Sequence, residues 1–368
     1  MTDSAGMEAV ARRRVNLGPD RVKELTLLGI IVLSVLMFSF LVDDYLSGRF
    51  FNRVTTSVVV VALLAAAQAL VIFSRNIDLS VGSMVGVAAY LTGDFLGATE
   101  QGPLPAMLVA ILVGAVLGSL NGALVAYGGV PAIIVTLGTL ALFRTLLSIY
   151  SGGANILAGS LPSWVLEFNN ITLVEVGGLQ LRLVFVIALV VVLLLHWAFA
   201  RLRWGRRIYA LGSNPSAAAQ AGLRTSSMVF WSFVGSGALA GLAGFMFLTR
   251  AGTISATAGA GLELESVAAA VVGGVSILGG SGTMLGAFLG AVLIDTLKLS
   301  LIRVPQVSEF WRDAFLGVLI LLAVIVDVTL RNRFNRRWSS QARAAMEDSA
   351  PAAVGMARMA GGSGSADA

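Results

Sequence analysis

A chain of 368 residues in which 57% are hydrophobic and only 12% charged cannot cover itself in water, since soluble domains run at about 45–50% apolar and about 25% charged. With no cysteine and a single histidine, the composition excludes a disulfide scaffold, a thiol nucleophile, iron–sulfur ligation and most imidazole metal sites. A net charge of +5 would suggest nucleic acid in a soluble protein, but in an apolar chain its meaning depends on where the charges sit.

The first 24 residues are polar and carry Arg12, Arg13, Arg14, Arg21 and Lys23 ahead of an apolar run at 25–42. Asp43, Asp44 and Tyr45 follow in place of a small-x-small cleavage site, so the run reads as a retained span. Crossing the hydrocarbon core takes about 20 apolar residues. Runs of that kind lie near 25–42, 54–73, 79–97, 104–127, 130–150, 182–200, 228–249, 262–280, 283–302 and 312–330, bounded by charge, proline or glycine. The expected fold class is therefore an all-α polytopic membrane protein with about ten transmembrane helices. Ser80, Gly82, Ser83 and Gly86 thin the third run, and Glu263 and Glu265 interrupt the start of the eighth. Each of these two reads either as a full span or as a broken, re-entrant helix.

Cytoplasmic loops retain Lys and Arg during insertion. Most of the 25 lysines and arginines fall before span one, at Arg75, between spans six and seven (Arg201, Arg203, Arg206, Arg207, Arg224) and in the tail after residue 330. The opposite loops hold Arg49, Arg53, Arg250 and Arg303. Both termini are expected inside. The expected organisation is a cytoplasmic segment 1–24, a membrane domain 25–330 with a cytoplasmic loop at 201–227, and a disordered cytoplasmic tail at 331–368, rich in Ala, Gly and Ser.

Glycines four apart (Gly114, Gly118, Gly122; Gly282, Gly286, Gly290; and the pair Gly237, Gly241) suit close helix packing, which in lipid relies on small residues. Spans four and nine run in opposite directions and each precedes a Val-Pro pair (Val130-Pro131, Val304-Pro305), a hint of an inverted repeat. Polar groups at membrane depth need a reason. Asp295 and Lys298, three apart, suit an intramembrane ion pair on one helix face. Arg144 suits snorkelling or a pair with an acid such as Glu265. Gln68, Asn121, Thr136 and Thr139 suit either a path for a neutral polyol or hydrogen bonds that tie helices together; Glu263 and Glu265, at the outer mouth of span eight, suit either contact with a binding protein or sugar or simple solvation, and Glu265 and Ser266 join the candidate path.

In the loop after span six, Asn214 suits a helix cap, Pro215 the first helical position and Gly222 the C′ position. A short helix outside the membrane follows, marginal alone and suited to docking in a groove of a soluble partner. Ser216-Ala217-Ala218, three residues, then Gly222 resembles the Glu-Ala-Ala-x-x-x-Gly coupling motif of ATP-binding-cassette importer permeases, with serine in place of the usual glutamate. Ile77-Asp-Leu-Ser-Val-Gly-Ser83, the stretch 130–139 and the stretch 263–274 leading into Gly279-Gly-Ser-Gly282 resemble the ribose-type sugar permeases of that superfamily.

The resemblance implies a transport subunit with no catalytic residues of its own, coupled to a cytoplasmic ATPase through Ser213, Asn214, Pro215, Ser216, Ala217, Ala218 and Gly222. It implies a second permease copy or a sister permease, a periplasmic or surface sugar-binding protein, and ATP with Mg held by the ATPase. No Gly-x-x-x-x-Gly-Lys-Ser/Thr occurs, and neither Lys23 nor Lys298 follows a glycine, so this chain has no Walker phosphate cradle. The solute expected is a monosaccharide or related polyol, with a lean to the rhamnose or autoinducer-2 group. No metal, no nucleic acid and no bound cofactor are expected. An ATP-independent transporter or channel is the alternative, and it has no use for the loop helix.

Overall fold

A computed structural model describes residues 19–304 and, beyond them, Trp311, Ala314, Gly317, Val318, Leu321 and Ile325. The chain divides into units 1–317 and 318–368, and the elements below belong to the first. The N-terminal segment up to residue 18, most of the tenth run and the tail 331–368 lie outside the described residues.

In chain order the helices are α1 (Pro19–Leu41), α2 (Gly48–Phe73), α3 (Val81–Thr99), α4 (Pro103–Ala126), α5 (Ala132–Ser151) and α6 (Trp164–Asn170). A hairpin follows, β1 (Thr172–Val176) and β2 (Leu179–Arg182), then α7 (Leu183–Arg201), α8 (Arg203–Ser213), α9 (Pro215–Gln220), α10 (Thr225–Ala251), α11 (Leu262–Val272) and α12 (Met284–Leu301). Eight of them (α1 to α5, α7, α10 and α12) are long and apolar enough to cross a membrane. The chain is an all-α polytopic membrane protein.

The hairpin is an addition to that class. Gly177 and Gly178, both at positive φ, turn an alternating strand back on itself as a two-residue hairpin requires. Asn52 then fixes it to α2, donating from Nδ2 to the Gly178 carbonyl at 3.1 Å and accepting from the Gln180 amide at 2.7 Å.

From Val58 to Phe73, α2 is buried on every side, as a helix that is apolar all round must be. It packs against α10, α11 and α12, while α10 packs against α2, α3 and α4; α3 lies on α4 as α11 lies on α12. Exchanging α2, α3 and α4 for α10, α11 and α12 maps this set of contacts onto itself. That symmetry of contacts is the pairing pattern that a structural repeat produces. The turn between α1 and α2 is pinned to α12 by Tyr45, whose hydroxyl lies 2.6 Å from Ser300 Oγ. Burial raises the phenol's pKa against the lowering pull of Ser300 and Arg303, so it stays neutral.

α4 and α10 cross at close range. Gly114 and Gly118 face Gly237 and Gly241 backbone to backbone, and Gly122 faces Phe230 and Phe233. A Cβ on Gly237 would land on the Gly114 carbonyl. Gly237→Ala should therefore destabilise the fold by about 1–3 kcal/mol, read as a lower melting temperature of the detergent-purified protein. Gly138→Ala, where a Cβ meets nothing within 4 Å, should melt like the parent. Gly286 and Gly290 pack on Gly273 and Ala269 of the α11 segment in the same manner. Gly282 does not join that stripe: it lies ahead of α12, at φ +118 against Val275.

The third and eighth runs resolve differently. The third is a helix of 19 residues, entered through a loop at 74–80 that folds back beside α2. The eighth is a half-helix of 11 residues, about 16 Å long against a core of about 30 Å. It hands over to irregular backbone at 273–283. A second irregular stretch, 252–261, enters α11 with Ala258 and Gly259 lying on Gly86 and Gly82 of α3. Such backbone is tolerated at membrane depth only where protein buries it or it lines a cavity.

Candidate functional site

Three places bring the polar residues together. The first is the loop after α7. It holds two helices, because α8, which sequence reading left inside an arginine-rich loop, has Gly205, Ile208, Leu211 and Gly212 buried at helical spacing with Arg203, Arg206 and Arg207 exposed. Asn214 ends α8 and caps α9, its Oδ1 accepting from the Ala217 amide at 3.1 Å and from Ser216 Oγ at 2.8 Å. Gly222, at φ +76, closes α9, and the Leu223 amide donates back to the Ala218 carbonyl at 3.1 Å. Ser213, Pro215, Ser216, Ala217 and Gly222 are exposed and Ala218 is buried.

This unit is tied to the membrane core through α8. Tyr209 Oη donates to the Gly282 carbonyl at 2.8 Å, Ser213 Oγ lies 3.4 Å from the Gly280 carbonyl, and the Gly280 amide donates to the Phe73 carbonyl at 3.2 Å. Gly212 sits where any side chain would strike Phe73 and Gly280. The irregular segment after α11 is thus clamped between α8 and the end of α2. A hollow of about 290 Å³, lined by His196, Phe199, Tyr209, Gly280 and Gly282 among others, borders the joint.

The second place is the buried loop 74–80. Gln68 donates from Nε2 to the Asp78 carbonyl at 2.5 Å; Asp78 Oδ1 accepts from the Ser80 amide at 2.9 Å and from Ser80 Oγ at 2.6 Å. Asn121 Nδ2 donates to Ser80 Oγ at 2.7 Å, and Thr136 Oγ1 reaches the Ile77 carbonyl at 3.4 Å. Thr139 bonds within α5, to the Thr136 carbonyl. Gln68, Asn121 and Thr136, which suited either a solute path or helix ties, thus converge on one backbone segment and hold it. Asp78, which they surround, enters the sequence analysis only as part of the Ile77–Ser83 stretch, although a lone carboxylate between two apolar runs is itself a signal.

The third place corrects the expected ion pair. Lys298 does not pair with Asp295 one turn away; its Nζ lies 2.6 Å from Glu265 Oε2 on α11. Asp295 instead accepts from Ser57 Oγ on α2 at 2.8 Å, and Arg250 Nη1 reaches the Ser57 carbonyl at 3.4 Å. Ser57, Arg250, Glu265, Asp295 and Lys298 line one cavity of about 170 Å³. Ser266 turns away from it, bonding the Glu263 carbonyl at 2.8 Å. Arg144 has no pair with Glu265, and its Nε and Nη2 are without a hydrogen-bond partner among the described residues. No cluster of histidine or acidic groups fit to hold a metal occurs among the described residues.

Residues 50–324 match the family model described as branched-chain amino acid transport system / permease component. The autoinducer 2 import system permease protein LsrC of Shigella flexneri is 36% identical over 321 residues, covering 87% of this chain and 91% of that protein. LsrC of Escherichia coli (strain K12 / DH10B) gives the same figures, and LsrC of Salmonella typhi is 36% identical over 87% of this chain and 89% of its own length. No solved structure matches the chain. With eight candidate spans among the described residues, the chain belongs to the family of branched-chain amino acid transport system permease components, as a multi-pass inner-membrane permease subunit of an ATP-binding-cassette importer.

Proposed function

We propose that this permease forms the translocation path for autoinducer 2 or a closely related small polyol, and that it is driven through α9 by a separate ATPase that holds ATP and Mg. A binding protein outside the membrane delivers the solute, and two permeases, identical or sister, enclose the path. The solute follows from the relatives named for autoinducer 2 import. The drive follows from one observation: the capped, exposed α9 is joined through α8 to the segment 280–282. A six-residue helix is marginal in water, so the Asn214 cap and the Gly222 closure keep it shaped for a groove on a partner.

Closure of the ATPase pair presses on α9. The short, packed α8 carries the displacement to Gly280 and Gly282, and the half-helix α11 follows because the segment 273–283 is continuous with it. The hollow beside His196 gives that segment room. Ser216 stands where related motifs have glutamate, and its hydroxyl is spent on Asn214, so shape and not a salt bridge carries the contact.

Gly222→Trp forces a side chain onto a left-handed backbone, costing about 1–2 kcal/mol, in a helix with little stability to lose. Uptake of autoinducer 2 by the assembled transporter in proteoliposomes should fall while ATP hydrolysis and membrane insertion persist. Normal uptake by this variant overturns the coupling role. A parent transporter whose binding protein is stabilised by other sugars and not by autoinducer 2, in thermal shift over a sugar panel, overturns the solute.

A further inference from the structure

We infer that the cavity lined by α2, α10, α11 and α12 is a contact site for the transported solute, a neutral polyhydroxylated molecule held by hydrogen bonds to Glu265 and Asp295. The inference rests on the proposed import function and adds to it where, and by which atoms, the solute is held.

Glu265 and Asp295 are 7% and 3% exposed and both line the cavity. Each carboxylate has one oxygen engaged, Glu265 Oε2 by Lys298 and Asp295 Oδ1 by Ser57. The other oxygen of each, Glu265 Oε1 and Asp295 Oδ2, is buried without a hydrogen-bond partner among the described residues. A buried carboxylate oxygen left without a donor is unfavourable, and two of them on side chains that line one cavity call for a donor-bearing occupant.

The fixed charges select the kind of donor. Two carboxylates stand against Lys298 and Arg250, so the lining is formally neutral. A cation would leave an unbalanced positive charge in a low-dielectric space, and an anion would face two carboxylates. Hydroxyl groups satisfy both oxygens without adding charge. Val60, Val61 and Phe247 supply apolar wall for the C–H face of a ring. At about 30 Å³ per water, 170 Å³ is the space of about five or six waters, enough for a monosaccharide.

Two placements connect the site to transport. Leu299 lines both this cavity and a second hollow formed by Asp43, Asp44, Arg49, Arg53 and Arg303 at the α1–α2 turn, so the two adjoin. Glu265 sits on α11, the half-helix whose far end runs into the clamped segment 273–283. A shift of α11 would move Glu265 relative to Ser57 and Asp295, and so open or close the grip.

The chain has no cysteine, so Leu262→Cys, at the partly exposed cavity rim, places a single thiol there. In the transporter assembled with its ATPase and binding protein, a small water-soluble methanethiosulfonate should label this thiol, read by intact mass of the permease. Saturating autoinducer 2 should slow the labelling at least fivefold. Adding Asp295→Asn should remove that protection and lower uptake at least tenfold, while the rate without solute stays within twofold, which reports an intact cavity. If the Leu262→Cys transporter imports autoinducer 2 and its labelling is indifferent to the solute, the site is wrong and the import function stands. If the parent imports neither autoinducer 2 nor ribose, the import reading falls and the site with it.

Discussion

Lys298→Ala should destabilise the permease by about 1–3 kcal/mol, less than the cost of removing one partner from a fully buried pair, because Lys298 is 19% exposed and Glu265 7%. The substitution leaves Glu265 and Asp295 facing a cavity in which Arg250 is the remaining cation. Uncompensated carboxylates are far costlier in such a place than the attraction that Lys298 supplied is favourable, because ion desolvation and pairing nearly cancel in an intact buried pair. The double variant Lys298→Met, Glu265→Gln should accordingly recover most of the loss, since it removes both charges and keeps the volume. The measurement is melting of the detergent-purified chain, with the amount of folded protein in the membrane as a second readout. A single variant that melts with the parent would mean that water already screens the pair. A double variant no better than the single would mean that the Lys298 stem, and not its charge, carries the stability. Uptake should be lost in both variants, which separates the structural effect from the role of Glu265.

The long apolar runs foretold the helices closely because spanning hydrocarbon is a one-dimensional demand that each segment meets alone. The first helix starts at Pro19, ahead of the expected 25, because its polar first turn carries no apolar signal. The break in the eighth run was legible as well: Glu263 and Glu265 at its start and the glycines at 273, 274, 279, 280 and 282 mark where a span gives way to irregular backbone. Two local patterns were present and passed over. Gly205, Ile208, Leu211 and Gly212 spell one face of α8, hidden while the arginines between them served as topology markers. Alternation around Gly177-Gly178 spells the hairpin.

What no local rule supplies is the choice among partners. Asp295 and Lys298 satisfy the i,i+3 spacing for a pair, yet Lys298 takes Glu265, which lies on another helix. The glycine stripes of α4 and α10 each signal close packing, but only the fold shows that Gly114 meets Gly237. Likewise the polar character of Gln68, Asn121 and Thr136 was plain, while the 77–80 loop as their common target required that loop to fold back between α2 and the α4–α5 pair. The short helix α9 was the most legible of all, since Asn214, Pro215 and Gly222 specify it within nine residues.

Gly280→Val should disconnect the ATPase from the path without unfolding the membrane domain. At Gly280 a Cβ would strike the Ser213 backbone and hydroxyl, prising α8 from the segment whose amide bonds Phe73. Coupling between distant sites is typically worth about 1–3 kcal/mol, or about 5–150-fold, and uptake should fall within that range. ATP hydrolysis should continue but lose its dependence on the loaded binding protein, because a push on α9 no longer reaches α11. Backbone strain needs its own control, since Gly280 has φ +69. Gly129 supplies it: its φ is +68 and a Cβ there meets nothing within 4 Å. Gly129→Val carries the same conformational cost and leaves the joint untouched, so its uptake should stay near that of the parent. Equal losses in the two variants would assign the effect to strain. Full uptake and stimulated hydrolysis in Gly280→Val would show that force enters the membrane domain by a route other than α8 and the 280–282 segment.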